Sequence, residues 1–93
     1  MTKLTAAELT EQLKSLPHWK HESGVIAREL KFKDFLAAMD FVNRVASVAE
    51  AVGHHPDIDI RYNRVRLALV THDAGGITAA DVHMAAKLDH ISA

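Results

Sequence analysis

The sequence predicts an α+β fold: a two-layer, four-stranded antiparallel sheet with three helices on one face, in the order α-β-β-α-β-β-α. Three observations predict it. Stretches with apolar residues at helical spacing occur three times, each opened by a capping residue. Two pairs of runs with strand character are each divided by a short turn. The chain has 93 residues, enough for a single domain spanning 1–93 and no more. Hairpins with helices gathered against one face make two layers around one core.

The first helix is expected over about 5–15. Thr5-Ala-Ala-Glu8 is a capping box, in which Thr5 accepts the N–H of Glu8 and Glu8 reaches back to that of Thr5. Leu4 and Leu9 stand at the staple positions, Leu9, Leu13 and Leu16 follow at helical spacing, and Pro17 stops the run. His18 to Glu22 and Val25 to Phe32 flank Ser23-Gly24, a hairpin turn. Ile26, Leu30 and Phe32 share a face that Arg28 interrupts. Asp34 caps the next helix, the longest. Phe35, Met39, Val42, Ala46 and Ala49 form its apolar row, widened by Ala38, Phe41, Val45, Val48 and Val52.

Gly53 ends that helix, because glycine takes positive φ without a Cβ penalty. Pro56 biases His55 toward an extended conformation. Asp57 to Tyr62 alternates strictly, with Ile58, Ile60 and Tyr62 on one face. Asn63-Arg64 is expected to turn the chain. Val65, Leu67 and Leu69 then alternate with Arg66, Ala68, Val70 and His72, which sets His72 on the face opposite the apolar row. Ala68 and Val70 share that face, which suggests cover by another subunit. Asp73 to Gly76 is a loop. Thr78-Ala-Ala-Asp81 is a second box-like cap, and Val82, Met84, Ala85, Ala86, Leu88 and Ile91 make the last helix broadly apolar.

Composition excludes several classes of function. Without cysteine there is no disulfide, no thiolate nucleophile and no sulfur-ligated zinc. A net charge of -1 points toward neither nucleic acid nor an anionic membrane. The first eight residues lack the apolar region of a secretion signal, and no apolar run approaches the ~20 residues of a membrane span. A cytoplasmic protein is expected. Gly75-Gly76 is not a phosphate loop, since the spacing and the following lysine are missing.

Seven histidines are the compositional oddity. Histidine titrates near neutral pH, about 6.5 unperturbed, and suits a proton that must be given and taken back. His54 and His55 follow a helix C-terminus, with Glu50 one turn behind, an arrangement that suits a general acid. The plainer reading is that the His-His-Pro corner only hydrogen-bonds the last carbonyls of the helix. Metal ligation is the weaker reading, because adjacent residues point apart in an extended chain and no His-x-x-x-His pair supports it. His18, His21, His83 and His90 read as surface or packing residues. Trp19 reads by default as a core or interface residue, Asp81 as a helix cap, Tyr62 as the close of its strand, and Arg61, Arg64 and Arg66 as a solvated edge.

Glu50-x-x-x-His54-His55-Pro56, followed by Tyr62, His72 and Asp81, resembles the signature of the pterin-4a-carbinolamine dehydratases. Trp19 after Leu16-Pro17-His18, the segment from Lys31 to Phe35, Tyr62-Asn63-x-Val65 and Thr71-His72-Asp73 extend the likeness over the whole chain. The resemblance implies dehydration of a 4a-hydroxytetrahydropterin to the quinonoid dihydropterin, the step that recycles the cofactor of aromatic amino-acid hydroxylases. It implies His54, His55 and His72 as catalytic residues, with Glu50, Trp19, Pro56, Thr71, Asp73 and Asp81 binding substrate. His54 and His72 would do the acid–base work from opposite sides of the ring, and His55 would orient it. Val70 stands where some relatives have serine, and Gly53 where some have asparagine or aspartate, which bears on contacts at the pocket edge. The resemblance further implies no metal, no redox cofactor, and a homodimer or homotetramer. Another class remains open: some animal members serve as dimerisation cofactors of a homeodomain transcription factor. A role elsewhere in pterin or molybdopterin metabolism is also open.

Overall fold

A computed structural model describes residues 2–92. Helix α1 spans Ala6–Leu13, strands β1 and β2 span Lys20–Glu22 and Val25–Lys31, and helix α2 spans Phe35–Val52. Strands β3 (Asp57–Arg61) and β4 (Arg64–Leu69) follow, then a 3₁₀ turn at His72–Ala74 and helix α3 (Ala79–Ser92). The sheet is antiparallel throughout, in the order β1-β2-β4-β3. The expected α+β order is the observed one.

Local chemistry starts the elements where the sequence placed them. The capping box at α1 is complete: Thr5 N–H donates to Glu8 Oε1 at 2.8 Å and Glu8 N–H to Thr5 Oγ1 at 3.1 Å. The Asp34 carboxylate accepts the N–H of Ala37 and caps α2, and Gly53 closes it at φ 79°. Ser23 and Gly24 both take positive φ, as a tight two-residue hairpin demands.

Register decides what the sheet buries. Ile26, Arg28 and Leu30 of β2 stand opposite Leu69, Leu67 and Val65 of β4, and Ile58 and Ile60 of β3 face Leu67 and Val65. Against this face pack Leu9 and Leu16, then Phe41, Val45 and Ala49 of α2, and Val82, Met84, Ala85 and Leu88 of α3. Arg28 belongs on the core face because Asp89 of α3 meets it: Asp89 Oδ1 accepts from Arg28 at 2.5 Å and from the Trp19 indole at 2.8 Å. The outer face is polar and matches its own charges, Arg64 to Glu29 at 3.2 Å and Arg66 to Glu22 at 3.1 Å.

Four expectations are corrected. The second hairpin turns at Tyr62-Asn63, since Arg61 pairs with Arg64. Asn63 is drawn into the ladder beside it: its side chain donates to Phe32 O, and its carbonyl accepts from Phe32 N–H, both at 2.8 Å. Tyr62 is therefore left to take φ 53°, and it is 67% exposed rather than closing a core face. Second, β4 ends at Leu69, so Val70 turns back to the core and His72 opens the 3₁₀ turn instead of continuing a strand. Third, Ala68 is buried within the isolated chain, so no other subunit is needed to cover it. Fourth, α2 is rotated from the expected row: Ala38, Phe41, Val45 and Ala49 are buried, while Phe35 and Ala46 are exposed. The bulk of Phe41, stacked 5.1 Å from Phe32, fills the space over the sheet.

Two stability measurements check these contacts. Asp89→Ala leaves a half-buried guanidinium and an indole N–H without their acceptor, an expected loss of roughly 2–3 kcal/mol in urea unfolding. A loss below half a kcal/mol would remove the tie between α3 and the sheet. Tyr62→Asn replaces an aromatic residue at positive φ with one that tolerates it, so a gain of about 0.5–1 kcal/mol is expected. A net loss would contradict the strain.

Candidate acid–base site

The site forms where three chain segments end side by side: the corner after α2, the exit of β4 and the first turn of α3. Gly53 reverses the chain at the end of α2, and His54 emerges beneath α3. Thr71 leaves β4 and is bridged to Gly76 across the 3₁₀ turn, which Gly75 closes at φ 73°. Leu4 N–H donates to Ile77 O at 2.8 Å and holds the end of this loop against the N-terminal segment.

Asp81 joins the three segments and is 0% exposed. Its Oδ1 lies 2.6 Å from His54 Nε2. Its Oδ2 accepts from the Thr71 hydroxyl at 2.8 Å and from the Thr78 backbone N–H at 2.9 Å. The Thr71 and Thr78 hydroxyls are 2.8 Å apart, and Ala80 N–H donates to Thr78 Oγ1. The direction of the chain follows: Thr71 gives its proton to Asp81, so Thr78 gives its own to Thr71. A carboxylate only accepts, so the proton of a neutral His54 sits on Nε2 and leaves Nδ1 as the free acceptor. Among the described residues no buried side-chain nitrogen or oxygen lacks a partner.

His54, with its side chain 20% exposed, lines an open cavity of about 580 Å³. That volume lies within the usual range of small-molecule sites, about 300–1,000 Å³. Thr71, Asp73 and Ala74 form one wall, and Ala79, Ala80, His83 and Lys87 of α3 another. The expected residues fall into groups. His54, Thr71 and Asp73 line the cavity, and Asp81 lies directly behind His54. Being buried, Asp81 reaches this cavity only through the imidazole and the Thr71 hydroxyl that it holds. His72 sits between two lining residues, but its own ring is exposed and outside the lining. His55 turns outward, its Nε2 3.0 Å from Glu50 Oε2, and both are exposed. Pro56 is half-buried and outside the lining. Trp19 is buried in the core, tied to the distal part of α3 through Asp89, and does not line the cavity.

Two participants were not singled out from sequence. Thr78 is more than a helix cap, and its signal was the Thr-x-x-Asp box itself. His83, which reads as a surface or packing residue, is exposed on α3 as expected and also lines this open cavity. Among the described residues no group of three or more histidine or acidic side chains is arranged to hold a metal ion.

An α+β domain that presents a carboxylate-backed imidazole to an open cavity is built for proton transfer to a small molecule. The comparisons narrow the class. Residues 2–91 match the family model described as pterin 4 alpha carbinolamine dehydratase, and the chain belongs to that family. A chain from Acidobacterium capsulatum assigned to these dehydratases is 60% identical over 89 residues, covering 96% of this chain and 97% of the relative. Another so assigned, from Chloroflexus aurantiacus, is 56% identical over 91 residues, covering 98% of each. A crystal structure described as a transcriptional coactivator/pterin dehydratase from Brucella melitensis superposes with a TM-score of 0.93 at 38% identity, covering 99% of this chain and 100% of that one. A pterin dehydratase-like RuBisCO assembly factor of the alpha-carboxysome shares the fold, with a TM-score of 0.65 at 19% identity over 80% of this chain and 86% of its own.

Replacing Asp81 with asparagine turns an amide NH₂ toward one of the donors that meet there. The expected result is a loss of about 1–3 kcal/mol in stability. The His54 proton should also move from Nε2 to Nδ1, read from ring ¹⁵N shifts. An unchanged tautomer would dismiss the role given to Asp81.

Proposed function

We propose that the chain dehydrates a 4a-hydroxytetrahydropterin to the quinonoid dihydropterin, acting as a hydro-lyase through histidine acid–base chemistry. The observation that carries this reading is His54, lining a cavity of small-molecule size with one ring nitrogen committed to a buried aspartate. The family membership and the names of the relatives support the substrate class.

The reaction removes a proton from N5 and a hydroxyl from C4a. The electron pair of the N5–H bond becomes the N5=C4a double bond as the C4a–O bond breaks. The departing oxygen takes a proton and leaves as water. Asp81 fixes the neutral ring with Nδ1 open, so His54 is the base that accepts the N5 proton. His72, one residue beyond Thr71 and exposed beside the cavity, is the acid that protonates the hydroxyl once its ring turns toward the bound substrate. Thr71 and Asp81 act by holding His54, and Asp73 offers an acceptor to the paired donors of the pterin pyrimidine edge, the 2-amino group and N3–H. His55, Glu50 and Pro56 form the outer corner that steadies the segment bearing His54 and the approach to the ring. Trp19 contributes by anchoring α3. No step calls on a metal or a redox group.

Association with further copies fits the apolar side chains left outside. Leu36 is 73% exposed, and Phe35, Val52 and Ile58 are also exposed. A homodimer or homotetramer is the proposed state, and light scattering that finds only a 10.2 kDa particle would refute it. No helix among the described residues is long and apolar enough to cross a membrane. A cytoplasmic site of action is proposed with this substrate.

The catalytic test is a dehydration assay on freshly generated 4a-hydroxypterin. His54→Ala and His72→Ala should each lower the saturated rate by about 10²–10⁴-fold over the uncatalysed background that remains. Near wild-type rates in either variant would dismiss that residue as a proton carrier. A chelator should leave the wild-type rate unchanged.

A further inference from the structure

We propose that Lys87, assisted by His83, makes the α3 wall of the cavity a receptor for an anionic group on the C6 substituent of the pterin. The inference rests on the pterin reading and names the substrate class that the site prefers. It begins from which lining groups are already engaged. His54 is committed to Asp81, and Thr71 to Asp81 and Thr78. That leaves Asp73, His83 and Lys87 as the polar side chains of the lining with no hydrogen bond or ion pair among the described residues.

Their placement divides them between two elements of the wall. Asp73 lies on the 3₁₀ turn beside Thr71. His83 and Lys87 lie on α3 at i and i+4, so they share one face of the helix. Lys87 is six residues beyond Asp81, about 9 Å along the helix axis. The reacting end is fixed by His54 over Asp81. In the pterin ring C6 is bonded to N5, the atom that gives up its proton. A substituent on C6 therefore leaves the reacting end directly, while the pyrimidine donors lie on the other side of the bicycle. With those donors on Asp73, the substituent runs along α3 toward His83 and Lys87.

Space continues in that direction. Val52 and Lys87 also line a second, more apolar groove of about 510 Å³, completed by Val48, Ala51, Ala86, His90 and Ile91. A substituent that passes Lys87 has room beyond it. An ammonium without a partner among the described residues, at the junction of two cavities, discriminates by charge between a neutral tail and one bearing carboxylate or phosphate.

Equilibrium binding of fully oxidised pterins, which are not turned over, tests this. The probes are 6-carboxypterin, 6-hydroxymethylpterin and the phosphate ester of the latter, followed by quenching of pterin fluorescence. At low salt the anionic pterins should bind wild-type protein about two- to fivefold more tightly than the neutral one, the scale of a partly exposed charge pair. The margin should shrink in high salt. It should vanish in Lys87→Met and fall in His83→Ala. It should persist in Lys31→Met, which removes the same charge from the polar face of the sheet. A preference for only one of the two anionic pterins identifies which acid group is read. Equal binding of all three probes, or an equal effect of Lys31→Met, overturns the inference and leaves the dehydratase reading intact. Failure of wild-type protein to bind any pterin overturns both.

Discussion

The arrangement depends on one buried carboxylate. Asp81 accepts from an imidazole, a hydroxyl and a backbone amide, each supplied by a different part of the chain. An unpaired carboxylate with no exposure would be costly, whereas one met by donors on several sides is a point of registration. It sets the end of α2, the exit of β4 and the start of α3 at fixed separations. The cavity is the space left between those ends. Its rigidity comes from the same bonds that orient His54, so the geometry of the reacting group is part of the fold itself.

The scaffold around that point was largely legible. Local rules sufficed wherever one residue decides a boundary: Thr5 with Glu8, Asp34, Gly53, and the strand alternation of β4 up to Leu69. They failed where a distant partner settles a choice that local propensity leaves open. Asn63 is the better residue for positive φ, yet Phe32 engages it from another strand and the turn moves one residue back. Arg28 breaks an apolar row for a reason that lies sixty-one residues away, at Asp89. The row on α2 could have faced the core through either of two neighbouring stripes, and the space over the sheet favoured the one that holds Phe41.

The site was legible in kind more than in layout. His54, Thr71 and Asp73 meet the same cavity, and Asp81 stands behind them. Which residues touch the cavity and which act through another could not be read, because burial is a property of the packed chain. Asp81 has the sequence position of an ordinary cap and is one, since its carboxylate holds the Thr78 amide. The same carboxylate reaches His54 with its other oxygen. Spacing alone cannot distinguish a cap with one duty from a cap with two. The adjacent His54 and His55 illustrate the same point: one is held inward by Asp81, the other outward by Glu50.

The segment from Val70 to Thr78 joins a strand to a helix, the kind of connection where homologous chains usually gain and lose residues. Here its length is clamped. Thr71 bridges Gly76, Thr71 meets Thr78 through their hydroxyls, and Ile77 is bonded to Leu4. One inserted or deleted residue would shift Thr71 against Asp81 and turn the imidazole with it. New substrate preferences in this architecture would then have to arise by exchanging side chains along α3, since the connecting segment has no freedom to grow.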